Sequence, residues 1–227
     1  MPIDLSGDLH GQAFDGFTVS VSDQEQRGDI ILDREEMNTI SMTQRDQFRA
    51  VFEALDRDDR VRVIVLRALG PNFSSGGFIR GFLDASPEHV SKLADHIAAP
   101  ARCDKPVIAA NRGFCFGVGF EISLACDFRI ASDTVRYALP EQRLGQIPGS
   151  GGSARLQKMV GIARTKDIVM RSRRISASEA HDWGIVTQVV PDTELESATD
   201  DLVAELCQFA PLAQRTAKRL LNETEDM

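Results

Sequence analysis

The chain has 227 residues, of which 42% are apolar, enough to bury a sizeable core as one large domain or as one domain with an appended helical piece. Its formal charge of −8, from 26 basic and 34 acidic residues spread along the whole length, leaves no basic surface for nucleic acid. The four cysteines, Cys103, Cys115, Cys126 and Cys207, form no CxxC pair and have no histidine at metal-ligand spacing, which argues against a metal site or a disulfide framework and for free thiols in a reducing cytosol.

The start, MPIDLSGDLHGQAFDG, is polar and acidic where a signal peptide needs a basic start and an apolar run. No apolar stretch approaches the ~18 residues of a membrane span, so a soluble, cytoplasmic chain without a membrane partner is expected. FTVSVS (17–22) alternates and DIILD (29–33) is a short apolar run, which together predict a hairpin. Phe48, Val51, Phe52 and Leu55 recur at helical spacing between Thr43 and Leu55, and VRVIVLRA (61–68) reads as a buried strand. PNFSSGGFIRGF then breaks regularity directly after that strand, where open α/β sheets place ligand-binding turns. One helix is expected from Pro87 to about Arg102, with Val90, Leu93 and Ile97 on one side.

The pattern recurs with PVIAA (106–110) as a strand, NRGFCFGVG as a glycine-interrupted turn and FEISLAC as the first part of a helix. DFRIAS and VRYAL read as short strands, and LGQIPGSGG as a loop opening a helix near Ser153. Ser176 and Glu179 predict a capping box at the start of a helix that Gly184 ends, and a helical tail from about Glu194 is interrupted at Pro211. Repeated strand, glycine turn and helix predict an α/β fold without a linker.

Two strand-to-helix turns carry the chemistry. In one, Ser75, Gly76 and Gly77 leave room for a ligand against the backbone; in the other, Gly113, Gly117 and Gly119 flank Val118. Amides turned outward at a helix amino terminus suit a developing oxyanion, although glycines of this kind also serve tight turns and close packing alone. Glu121 lies on the first turn of an otherwise apolar helix, where a buried carboxylate needs either partners or a task. Glu141 follows a proline at the end of a strand. Brought together in a partly dry pocket, two carboxylates push their proton affinities apart and supply one acid and one base; apart, each is a helix-end charge or a salt bridge to Arg143 or Arg155.

The run AANRGFCFGVGFEISLACDFRIAS, followed by YALPEQRLGQIPGSGGSARL, resembles the signature of the enoyl-CoA hydratase/isomerase, or crotonase, superfamily, and NFSSGGFIRGF resembles its first oxyanion turn. The similarity runs from about Phe17 to the final helices, with the two glutamates twenty positions apart as in the hydratases. The resemblance implies a repeated ββα spiral core over 1–190, holding the CoA and active site, and a C-terminal helical region over 191–227 that is shorter than in typical members. It implies homotrimers that pair into hexamers, and a lyase of the kind used in fatty acid metabolism. Carried across by matching positions, the amides of Gly77 and Val118 form the oxyanion hole and Glu121 and Glu141 are the catalytic residues. Gly76, Gly77, Phe78, Ile79, Arg80 and Val118 line the substrate path, with Arg80 placed to meet a CoA phosphate.

In that scheme Glu121 activates water for attack on the beta carbon of a 2-enoyl-CoA and Glu141 protonates the alpha carbon, giving a 3-hydroxyacyl-CoA. CoA is part of the substrate and no other cofactor is implied. Two positions depart from the family pattern: Val118 stands where glycine is usual, and Phe78 where aspartate is common. Isomerisation, opening of a beta-keto ring by water, and non-catalytic acyl-CoA binding are the alternatives, while a nucleotide-dependent oxidoreductase is disfavoured by the lack of a GxGxxG helix start. The histidines His10, His89, His96 and His181 read as surface or helix-face residues, Trp183 as packing for its helix, and Cys115 as a small filler.

Overall fold

A short β1 (Ala13–Phe14) leads into β2 (Phe17–Ser22), whose alternate residues Phe17, Val19 and Val21 are buried. The computed structural model describes residues 8–225, and for 82–84, 224 and 225 the backbone alone; the first seven residues of the polar leader and the last two of the chain lie outside it. β3 (Arg27–Leu32) completes the expected hairpin, pairing antiparallel with β2 from Phe17 opposite Leu32 to Ser22 opposite Arg27. α1 (Met42–Arg57) opens on a capping box in which the Ser41 hydroxyl accepts the Gln44 amide at 3.0 Å and the Gln44 side chain accepts the Ser41 amide at 3.4 Å. β4 (Val63–Ala68) then lies parallel to β3.

The single helix expected over 87–102 is instead three: α2 (Pro87–Ser91), α3 (Leu93–Ile97) and α4 (Ala99–Arg102). The second break follows from Pro100, which has no amide to donate and whose ring crowds the carbonyl four residues back. The first break, at Lys92, falls between His89 and His96, whose rings both turn to Asp46 of α1 at 2.9 Å. His96 is thereby buried, not a surface residue.

Beyond this point the chain repeats one unit twice. β5 (Val107–Asn111), β6 (Phe114–Phe116) and α5 (Val118–Ala125) are followed by β7 (Phe128–Ser132), β8 (Arg136–Ala138) and α6 (Gly152–Met170), the last kinked at Gly161. The first strands of the two units pair in parallel in a large sheet, and the second strands pair in parallel in a small one. β6 occupies part of what sequence reads only as a turn; it is three residues long and its partner β8 lies far along the chain. Ser74, just after β4, bridges Cys115 of β6, so the preceding round follows the same path. β9 (Ile175–Ser176) closes the small sheet on β8, and α7 (Ala177–Asp182) starts on the expected Ser176–Glu179 capping box. β10 (Gln188–Val190) adds to β7, giving the large sheet the order β1-β2-β3-β4-β5-β7-β10. α8 (Leu195–Cys207) and α9 (Pro211–Glu225) form the helical tail, broken as expected before Pro211.

The parallel strands are apolar on both faces because both are covered. Ile64, Leu66, Val107 and Ala109 face Phe48, Val51, Phe52 and Leu55 of α1, while Val63, Val65, Ile108 and Ile130 face Leu195, Val203 and Leu206 of α8. Each valine, leucine, isoleucine or phenylalanine among them contributes about 1.5–3 kcal/mol by leaving water. α9 is fastened by polar contacts: the buried Lys218 ammonium donates to the carbonyls of Pro100 and Lys105 at 2.8 and 2.9 Å and pairs with Asp127 at 2.7 Å.

Candidate active site

The two glycine turns predicted to carry chemistry lie back to back. Gly76 and Gly117 both have positive φ, 111° and 51°, and a Cβ on Gly76 would stand 3.3 Å from the Phe116 carbonyl oxygen, so only glycine lets the two turns approach this closely. The parallel bridge between Ile40 and Gly77 uses the Gly76 carbonyl and the Phe78 amide, which leaves the Gly77 amide outside the ladder. Val118 opens α5, and first-turn amides of a helix have no acceptor within it. The Gly117 amide, by contrast, is spent on the Ala138 carbonyl at 3.0 Å.

Glu121 is 2% exposed on the first turn of α5. Its Oε1 accepts the amides of Ser150 and Gly152 at 2.8 and 3.0 Å, the second being the first residue of α6. A carboxylate thus caps the positive end of α6 from a neighbouring helix. At its far end α5 is held by the buried Arg129, whose guanidinium donates to the Ser123 and Cys126 carbonyls at 2.9 and 2.7 Å.

Glu141 begins a 3-10 turn (Glu141–Leu144) straight after Pro140. A Cβ on Gly117 would come within 3.1 Å of its Oε1, which places the carboxyl over the second turn, and its Oε2 is buried with no hydrogen-bond partner among the described residues. Burial pushes the Glu141 carboxyl up to about 7, and the nearby Glu121 charge adds to the rise. Arg45 of α1, 3% exposed, completes the charged set; burial depresses its guanidinium to about 10, against the opposing fields of Glu121, Asp46 and Glu141.

These groups line one cavity of about 480 Å³, with Gly76, Gly77, Ile79, Val118, Glu121, Glu141 and Arg45 in its wall. Val90 and Leu93, from α2 and α3, and Leu144 and Ile147 supply apolar surface. Of the residues singled out by sequence, Phe78 and Arg80 stand outside that wall: both are exposed, and the Phe78 ring lies against Gly81. A second cavity of about 430 Å³ lies beneath α9, against Asp127, Arg129 and Lys218, away from both glutamates.

Sequence alone does not single out Arg45, Ser150 or Gly152. The signal for Arg45 is positional: it stands three residues before Phe48, on the same stripe of α1 as Val51, Phe52 and Leu55, where a charge is out of place. Ser150 and Gly152 act through their amides, so residue type gives little sign of their part.

Paired rounds of ββα, two turns with outward amides and two carboxyls on one cavity describe an acyl-thioester enzyme fold. The chain belongs to the enoyl-CoA hydratase/isomerase family, whose sequence model matches residues 28–227. Carnitinyl-CoA dehydratases of Salmonella arizonae and Escherichia coli are 37% identical to it over 206 residues, covering 88% of this chain and 78% of theirs. Among solved structures, an enoyl-CoA hydratase subunit of Geobacillus kaustophilus superposes with a TM-score of 0.88 at 33% identity, over 94% of this chain and 84% of that one. An enoyl-CoA hydratase of Bacillus anthracis gives 0.87 at 30% identity, with the same coverage. The spiral α/β fold with its helical C-terminal region is therefore that of the crotonase superfamily.

Proposed function

We propose that the chain adds water across the double bond of a 2-enoyl-CoA to give a 3-hydroxyacyl-CoA. The observation that carries this reading is the convergence of Glu121 and Glu141 on a single cavity whose wall also contains Gly77 and Val118. Glu121 is the base: it takes a proton from water as the oxygen bonds to the beta carbon. The electron pair of the double bond moves toward the thioester, whose oxygen gathers negative charge and accepts hydrogen bonds from the Gly77 and Val118 amides. Glu141, held protonated near neutral pH by its burial, delivers its proton to the alpha carbon. Exchange with solvent then restores both carboxyls.

The substrate is an acyl-CoA thioester, with CoA entering as part of it and no further cofactor. Gly76, Phe78, Ile79 and Arg80 border its path, Arg80 from the exposed side, where a phosphate can meet it. Run backwards, the same constellation dehydrates a 3-hydroxyacyl-CoA, the direction named for the carnitinyl-CoA relatives. The assembly is a homotrimer or a dimer of trimers, readable by light scattering.

Loss of the enoyl thioester absorbance on incubation with crotonyl-CoA, and with medium and aromatic enoyl-CoAs, tests the reaction. Absence of any loss across that set rejects the hydratase. Retained acyl-CoA binding without turnover would leave a binding module in its place.

A further inference from the structure

The cavity holds a third charge that the hydration scheme does not use. Arg45 reaches it from α1, an element that supplies neither oxyanion donor and neither carboxyl, and it is buried to the same degree as Glu121. A guanidinium taken this far out of water needs opposite charge nearby, and a pair of carboxylates in the same dry space needs a cation.

We propose that Arg45 is a positioning residue for protons: its charge balances the Glu121 and Glu141 pair and so sets which of the two carboxyls is ionised at rest. With one proton shared between the two acids, the cavity holds one guanidinium, one carboxylate and one neutral carboxylic acid, and it is electrically neutral. That is the state from which a base and an acid act in one step. Without the guanidinium the same pair carries a net negative charge in a partly dry space, and Glu141 holds its proton to higher pH still.

The groups around Arg45 fit this assignment. Glu121 faces it from α5 and Glu141 from the turn after Pro140, and both act on it electrostatically, as does Asp46 beside it on α1. Asp46 is itself met by His89 of α2 and His96 of α3, each at 2.9 Å. Arg155 of α6 donates to the Ser150 carbonyl at 3.3 Å and does not line the cavity. Arg45 thus enters the cavity from a helix held by its own capping box and by the Phe48, Val51, Phe52 and Leu55 face it buries.

The test reads protonation directly, so that it stands apart from the hydratase assignment, on which only its rate measurement rests. The carboxyl carbons of glutamate are labelled with 13C and titrated by NMR in the whole protein, and the Cζ of arginine is followed in the same way at high pH. In Arg45→Met the Glu141 midpoint is expected to rise by about one pH unit or more, while Arg45→Lys keeps it within about half a unit of the unmodified chain. Because coupling between two sites is reciprocal, Glu141→Gln should lower the Arg45 midpoint by a similar amount. This second measurement needs no change at Arg45 and decides the matter even if Arg45→Met does not fold. With an active hydratase, the limb of the kcat/KM pH profile that needs Glu141 protonated moves to higher pH in Arg45→Met, whereas a merely structural arginine lowers the rate at every pH alike. A Glu141 midpoint unmoved by loss of Arg45, or an Arg45 midpoint unmoved by Glu141→Gln, overturns the proposal. Failure to hydrate any enoyl-CoA, with both midpoints coupled, rejects the reaction and leaves the role of Arg45 standing.

Discussion

Gly152 and Glu121 are fitted to one another atom by atom: the Gly152 amide donates to Glu121 Oε1 at 3.0 Å, and a Cβ on Gly152 would stand 2.6 Å from Glu121 Cγ. The start of α6 therefore fixes the carboxylate on α5 without any side chain of its own. Gly152→Ala keeps the amide but drives the carboxylate away, so kcat/KM for crotonyl-CoA is expected to fall on the order of 100-fold, as misplacement by about an ångström does elsewhere. Steady-state kinetics check this, with far-UV circular dichroism showing the fold retained; an unchanged kcat/KM would remove Glu121 from the reaction.

Each carboxyl is expected to be indispensable to turnover and dispensable to binding. Glu121→Gln and Glu141→Gln should each lower kcat by about 10²–10⁴-fold, the usual worth of a positioned acid or base. Acyl-CoA affinity, measured by isothermal titration calorimetry, should stay within a few-fold of the unmodified chain.

The two amides of the oxyanion hole differ in how cleanly they can be removed. Val118 is the first residue of α5, a position at which helices accept proline, so Val118→Pro deletes the donor and keeps the helix. A loss of about 10²–10³-fold in kcat is expected. Thermal melting that stays cooperative, together with rates close to those of the unmodified chain, would show that the Val118 amide takes no part.

Glu141 also makes stability depend on pH, with a sign that can be worked out. Its carboxyl sits near 7 in the folded chain against an ordinary value of 4.5, so between those values the folded state holds a proton that the unfolded state has released. Its contribution to stability is thus fully present below about 4.5, is lost as pH rises to about 7, and is flat beyond. The melting temperature of the unmodified chain should fall relative to that of Glu141→Gln across that window. In turnover, the limb that needs Glu141 protonated should decline above about 7.

Much of this arrangement is legible in the sequence because burial leaves a plain trace there. β4 and β5 are continuous apolar runs since both of their faces are covered, and Glu121 stands out as a lone carboxylate in an apolar helix. The capping boxes at Ser41 and Ser176 and the break before Pro211 are local rules, though only the last two are predicted from the chain's own pattern. What stays hidden is whatever depends on distant partners. The split of 87–102 involves Asp46 on another helix, and β6 pairs with β8 on one side and bridges back to Ser74 on the other. Arg45 is a charge on the apolar stripe of α1 with no evident task until α5 and the turn after Pro140 are folded against it. The meeting of Glu121 and Glu141 follows from family resemblance and not from their spacing, because it depends on how β7 and β8 return the chain to α5, which no local rule describes.

The helical break at Lys92 divides labour within the molecule. The two carboxyls follow strands of the small sheet, Glu121 on α5 after β6 and Glu141 in the turn after β8, whereas Val90 and Leu93 sit on two short helices. On the proposed reaction, exchanging side chains on those two helices would reshape the apolar wall of the cavity and leave both carboxyls where they are.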